Sequence, residues 1–234
     1  MNRLISNYET ISSCISRAAA RSGRSEGSVR LVAVTKRTPD VWARGLVAMG
    51  QLDLGENYPQ ELWKKAETLA DLPEIRWHAI GHMQTNKLKR TLPLLTMMHA
   101  VDSLDLLVSV GKLMPTATRL ERVCLQVNMS GEASKHGWDQ DSILNDAEPI
   151  ADAINRFGIP VTGLMTMAAL GTDAESARPA FAGLRQTAEK LAARMGHPLP
   201  DLSMGMSGDF ESAIEEGATF VRVGSLLFEG LAEA

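Results

Sequence analysis

Cysteine is scarce in this chain. Cys14 and Cys124 are the only two, far apart and in no ligand-like spacing, which excludes a disulfide framework and a cysteine zinc site and fits a reducing compartment. No stretch approaches the roughly 18 apolar residues of a membrane span. The N-terminus also lacks the apolar core and cleavage site of a secretory signal, so no membrane partner and a cytoplasmic location are expected. Basic charge is not in excess either: 24 Lys and Arg against 28 Asp and Glu give a formal net charge of −4. A general nucleic-acid binder needs the opposite balance, and the one compact basic run, Lys87, Lys89 and Arg90, reads as a solvated helix face. The G-x-G-x-x-G dinucleotide fingerprint is missing after the first strand-like segment, which ends instead in Thr35-Lys36-Arg37; this weighs against a doubly wound sheet.

What is present is a regular alternation. Leu4, Tyr8, Ile11, Ile15 and Ala18 recur at helical spacing, so the first twenty or so residues form an amphipathic helix closed by the Gly/Ser-rich 22–28 segment. From Leu31 onward, eight short apolar runs read as buried strands: Leu31–Thr35, Leu52–Gly55, Ile75–Ile80, Met98–Val101, Val123–Asn128, Val161–Met165, Asp201–Met204 and Phe220–Val223. Helical segments separate them, including Val41–Met49, Pro59–Ala70, Ser142–Phe157 and Ala174–Met195. Connections of this kind force parallel strands. About 25 residues per unit matches the (β/α)₈ TIM barrel at its lower size limit. The expectation is an α/β chain forming one barrel domain over residues 1–234, with an extra N-terminal helix.

In such a barrel, chemistry gathers where strands end. The first strand delivers Lys36, an amine leaving four apolar residues and therefore expected to be partly desolvated, which would free its lone pair to attack a carbonyl; a strand-end lysine that snorkels to solvent fits the same residues. Two segments suit a phosphate: 203–209, with Ser207, and Gly224-Ser225. Each puts small residues between a strand and an expected helix, where free N–H groups and the helix dipole favour an anion. Ordinary helix capping by Ser207 and Ser225 is the competing reading. His78 and His82 have an i, i+4 spacing, yet His78 lies in a strand and no third ligand is evident, so no metal is expected. Met165, Met167, Met204 and Met206 read as barrel filling.

Taken together, Leu31 to Lys36, Gly55-Glu56-Asn57-Tyr58, Trp77-His78-x-Ile80-Gly81, Gln84-x-Asn86-Lys87, Gly163-Leu164-Met165, Ser203 to Ser207 and Val221-Arg222-Val223-Gly224 strongly resemble the pyridoxal phosphate homeostasis protein family. The resemblance runs in order from Leu31 to about Phe228. It implies the alanine racemase N-terminal barrel, with pyridoxal 5′-phosphate (PLP) held as a Schiff base on Lys36. It further implies that Ser207, Gly224 and Ser225 hold the phosphate, that Arg222 faces the pyridine nitrogen and that Asn57 lies beside the cofactor. The family often has threonine where this chain has Ser225, so a hydroxyl is kept.

The function implied is intracellular PLP homeostasis, as a carrier or buffer without efficient catalysis. Apo forms of PLP-dependent enzymes are the expected recipients, and a monomer is expected. A guanidinium beside the pyridine nitrogen leaves that nitrogen unprotonated and the ring a poorer electron sink. Alanine racemases share such an arginine but add a domain that supplies a tyrosine base; here Tyr8 and Tyr58 are the only tyrosines, and no second base can be named. Two enzymatic readings stay open: a low-activity PLP-dependent amino-acid racemase, and a Schiff-base aldolase acting on sugar phosphates.

Overall fold

The structure is a computed structural model that describes residues 1–132, 135–169, 171 and 173–231. Eight parallel strands pair in sequence order and close on themselves, the first pairing with the eighth. They are β1 (Arg30–Val34), β2 (Asp53–Glu56), β3 (Arg76–Ala79), β4 (Leu95–Val101), β5 (Arg122–Gln126), β6 (Val161–Met165), β7 (Asp201–Ser203) and β8 (Phe220–Val223). The expected barrel is therefore present, and the strands for β6 and β8 have the bounds read from the sequence.

Helix α1 (Asn2–Arg21) is the additional N-terminal helix. Its buried stripe is Leu4, Ile11, Ile15 and Ala18; each large apolar side chain so buried contributes about 1.5–3 kcal/mol. Arg21 ties the helix to Glu211 and Glu215 at 2.8 Å each. Around the barrel run α2 (Asp40–Ala48), α3 (Pro59–Thr68), α4 (Thr85–Thr91), α5 (Leu104–Leu113), α6 (Gln140–Asn145), α7 (Ala147–Phe157), α8 (Ala174–Met195) and α9 (Phe210–Glu215). The expected single helix over Ser142–Phe157 is two helices that break at Asp146. Pro149 explains the break: it has no N–H to donate, and its ring would collide with the carbonyl four residues back if the helix continued. Asp146 itself accepts the Trp138 indole N–H at 2.8 Å. Among the described residues no helix is long and apolar enough to cross a membrane.

Two apolar clusters divide the core. The larger lies between the sheet and the helices; the smaller fills the barrel with Val32, Met97, Ala100, Cys124, Met165 and Phe220, as side-chain layers fill other parallel barrels. Of the four methionines expected to line the barrel, Met165 belongs to this inner plug and Met204 to the outer core. Met167 and Met206 are only partly buried and reach the mouth.

Candidate functional site

At the carboxyl ends of β1, β2, β7 and β8 lies a cavity of about 320 Å³, within the range of small-molecule sites. Its walls include all six residues singled out from the sequence: Lys36, Asn57, Ser207, Arg222, Gly224 and Ser225. Apolar cover comes from Val34, Ile80, Met167 and Met206.

Lys36 is exposed, as the snorkelling reading has it, rather than partly desolvated. The strand stops at Val34, Thr35 is fully buried, and the chain turns outward so that Lys36 is an exposed rim residue. The following Arg37 holds a left-handed φ of 57°, a conformation that costs a non-glycine residue about 1 kcal/mol or more. The base of this turn is pinned from below. Thr35 Oγ1 donates to Glu56 Oε1 at 2.6 Å, Lys65 Nζ donates to the same oxygen at 2.6 Å, and Lys65 also contacts the Thr35 carbonyl. Glu56 and Lys65 are both buried.

The two serines do not cap helices. Met206 N–H donates to Asp209 Oδ1 at 2.6 Å, folding 206–209 into a turn, and α9 then starts behind Asp209 and runs for only six residues. Ser207 Oγ instead accepts the Gly224 N–H at 3.4 Å, joining the two loops. After β8 the chain forms a turn rather than the expected helix, with Leu227 N–H donating to the Gly224 carbonyl at 2.9 Å. The backbone N–H groups of Ser207, Gly208 and Ser225 have no partner among the described residues. An anion would therefore be met by turn N–H groups and two hydroxyls, not by a long helix dipole. Gly224 lets this loop pack closely on β1: a Cβ there would sit 3.0 Å from the Val34 carbonyl. Gly81 does the same for Asn57, since a Cβ at 81 would lie 2.3 Å from the Asn57 carbonyl and 2.6 Å from its Oδ1.

Arg222 forms the floor. It is buried at 3% exposure, donates from Nη1 to Ser203 Oγ at 2.6 Å and from Nη2 to the Thr166 carbonyl at 2.9 Å. Its other N–H groups have no partner among the described residues. Burial pushes its pKa down to about 10, so it remains a cation at neutral pH. Neither tyrosine lines the cavity: Tyr58 is exposed at the mouth of a neighbouring hollow and Tyr8 lies on α1. The donor set as a whole is an amine, two hydroxyls, three free N–H groups and a buried guanidinium. It fits a ligand that carries an anion and a carbonyl on neighbouring ring carbons and an acceptor nitrogen across the ring from the carbonyl, as PLP does.

His78 and His82 are separated, as their strand position required. His78 points into the barrel, while His82 sits on the rim with Asp102 and His136, the one set of three metal-ligating side chains among the described residues. There His82 Nδ1 lies 2.6 Å from Asp102 Oδ2, and the two imidazoles stack with centroids 4.1 Å apart. Lys87 and Arg90, two of the basic run, lie over the Trp63 ring at 5.7 and 4.3 Å on the outer face, as a solvated helix face does. The residues missed from sequence were Glu56 and Lys65 as props and His99 inside the barrel; a histidine in the mostly apolar β4 was the available signal.

No family model matches the chain. Curated relatives do. The pyridoxal phosphate homeostasis protein of Pseudomonas aeruginosa is 38% identical over 229 residues, 97% of this chain and 96% of that one. The same-named protein of Aquifex aeolicus is 37% identical over 214 residues, 92% of each. Among solved structures, PipY of Synechococcus elongatus with PLP bound has a TM-score of 0.78 at 33% identity, covering 92% of this chain and 99% of that one. An alanine racemase of Clostridium difficile has a TM-score of 0.73 at 12% identity and covers 97% of this chain and 56% of the racemase, a likeness of fold.

Proposed function

The chain belongs to the pyridoxal phosphate homeostasis protein family, and from that premise we propose that it holds PLP in the β7–β8–β1 mouth and acts as a cytoplasmic carrier or buffer of the cofactor. Lys36 would bond the aldehyde carbon. Ser207, Ser225 and the N–H groups of 207, 208 and 225 would take the phosphate across Gly224. Arg222 would lie at the ring nitrogen and Asn57 along the ring edge. When bound, the cofactor supplies a reactive aldehyde and an electron-withdrawing ring; everything else is the work of this chain.

The observation that carries the reading is the convergence of these donors on one cavity of suitable size, in a relative of a protein solved with PLP. The absence of efficient turnover is argued from Arg222. Still protonated at neutral pH, it can donate a hydrogen bond to a ring nitrogen but offers no acceptor, which keeps the ring a weak electron sink. Among the described residues no tyrosine or histidine lines the cavity to serve as a second proton carrier. Transfer to apo-enzymes and a monomeric state belong to the same reading, because the mouth opens to solvent and Lys36 is exposed.

The test is α-proton exchange of amino acids followed by NMR in deuterated buffer, with PLP transfer to an apo-enzyme measured in parallel. Transfer with exchange far below the roughly 1–10³ s⁻¹ of ordinary enzymes is expected. Exchange within that range on any one amino acid would make this a racemase-like enzyme with Lys36 as its base.

A further inference from the structure

Beneath the cavity a column of polar side chains runs the length of the barrel interior. Arg222 Nη1 donates to Ser203 Oγ at 2.6 Å, and Ser203 Oγ lies 2.7 Å from His99 Nδ1. His99 Nε2 lies 2.8 Å from His78 Nδ1, and His78 Nε2 lies 2.9 Å from Asp53 Oδ1. Arg76 Nη2 closes the far end on Asp53 Oδ2 at 2.5 Å. Arg222, Ser203, His99, His78 and Asp53 are all buried, and they come from five strands: β8, β7, β4, β3 and β2. Asp53 and Arg76 open their strands, so the column joins the mouth to the opposite end of the barrel.

The protons in this column have a forced direction. Arginine can only donate, so Ser203 Oγ accepts from it; at the far end the Asp53 carboxylate can only accept, and the two ends together turn the serine hydrogen to His99 Nδ1. That nitrogen is then bare, so His99 carries its proton on Nε2 and donates to His78 Nδ1. His78 in turn carries its proton on Nε2 and donates to the Asp53 carboxylate. The reverse order would leave a bare His78 nitrogen against a carboxylate oxygen, two acceptors face to face, unless a further proton were added. A cation at one end and an anion at the other are what a one-way donor chain requires, and each bond polarises the next.

We propose that Ser203, His99, His78 and Asp53 are positioning residues for Arg222, a one-way donor chain that fixes its guanidinium under the cavity and leaves its remaining N–H groups for the ligand. The chain deepens the PLP reading, since only that reading gives Arg222 a ring nitrogen to meet, but the proton order holds in the protein without cofactor. Other groups bear on the column. Asp209, its carboxyl raised by burial, and Cys124, its thiol pushed well up by burial, both interact with Arg222. Phe220 walls the imidazoles, with its ring edge to His99 at 5.9 Å. Burial, with the neighbouring His78 and Arg222, holds His99 well below the ordinary histidine range, in keeping with a neutral link.

Imidazole ¹⁵N NMR of the cofactor-free protein tests the order directly. At pH 7.5 both His78 and His99 are expected as Nε2–H tautomers with a bare Nδ1; a protonated Nδ1 on either would overturn the proposal. Ser203→Ala and Asp53→Asn then probe the pocket through PLP absorption and release. Ser203→Ala should shift the absorption maximum and speed release by about tenfold, the scale of losing one hydrogen bond to a charged group, and Asp53→Asn should do the same more weakly. If both variants kept the wild-type spectrum and release rate, the column would be a structural element with no hold on the site. A protein that bound no PLP at all would sink the functional reading instead, leaving the tautomers to be judged alone.

Discussion

The mouth of the barrel and its interior column are both polar, yet they are built on opposite terms. Inside, from Arg222 Nη1 down to Asp53, each link of the column joins a donor to an acceptor, and the groups are buried. At the mouth, the N–H groups of Ser207, Gly208 and Ser225 and the amine of Lys36 stand at the edge of an open cavity, with Ser225 and Lys36 exposed. Saturated polar groups hold a shape, whereas unsaturated ones on a fixed frame are free to bind. The comparison therefore assigns binding to the rim and geometry to the column and its neighbours.

Breaking the support should cost most. Lys65→Met leaves the Glu56 carboxylate buried and unpaired beneath the Lys36 turn, and an expected loss of about 3–5 kcal/mol in unfolding free energy can be read from urea denaturation. Lys65→Met combined with Glu56→Leu should recover much of it. The rim behaves differently: Ser207→Ala and Ser225→Ala should leave stability almost unchanged and weaken PLP several-fold each, since a neutral hydrogen bond contributes about 0.5–1.5 kcal/mol. Fluorescence or absorbance titration would show it, and unchanged affinity in both variants would remove the serines from the site.

Acidification gives the smallest and most graded effect. His99 is held below its unfolded value near 6.5, so the unfolded chain takes up a proton that the folded one refuses. Stability is therefore full above pH 6.5 and falls as the pH drops toward the depressed folded value. Asp53 adds a second loss lower down. Burial raises its pKa, but the hydrogen bonds from His78 and Arg76 and the Arg76 charge outweigh that and hold it below the usual carboxylate value. Denaturation midpoints that rose on acidification from pH 7.5 to 5.5 would contradict this sign.

Much of the rim was legible because most of its residues follow an apolar run closely, and Arg222 is the polar exception inside the last one, so strand periodicity places them at the mouth. Lys36, Asn57, Ser207, Arg222, Gly224 and Ser225 all line the one cavity for that reason. What sequence did not show is what depends on partners far along the chain. The Glu56–Lys65 pair and the His78–His99 contact join different strands and helices at a register that apolar patterning does not encode. The sequence left the exposure of Lys36 open between two readings, because it is set by the left-handed turn at Arg37 rather than by the four apolar residues before it. The break between α6 and α7 was readable in Pro149, but the amphipathic pattern on both sides masked it.

The central claim is that the exposed amine at the end of β1 is where PLP is bonded. Adding PLP, reducing with borohydride and mapping the modified peptide by mass tests it most directly, with Lys36→Ala as the paired control. One pyridoxyl group per chain on Lys36 is expected, with none on Lys36→Ala and an unchanged melting temperature in that variant. A pyridoxyl group on another lysine, such as Lys87, with Lys36 unmodified would contradict it.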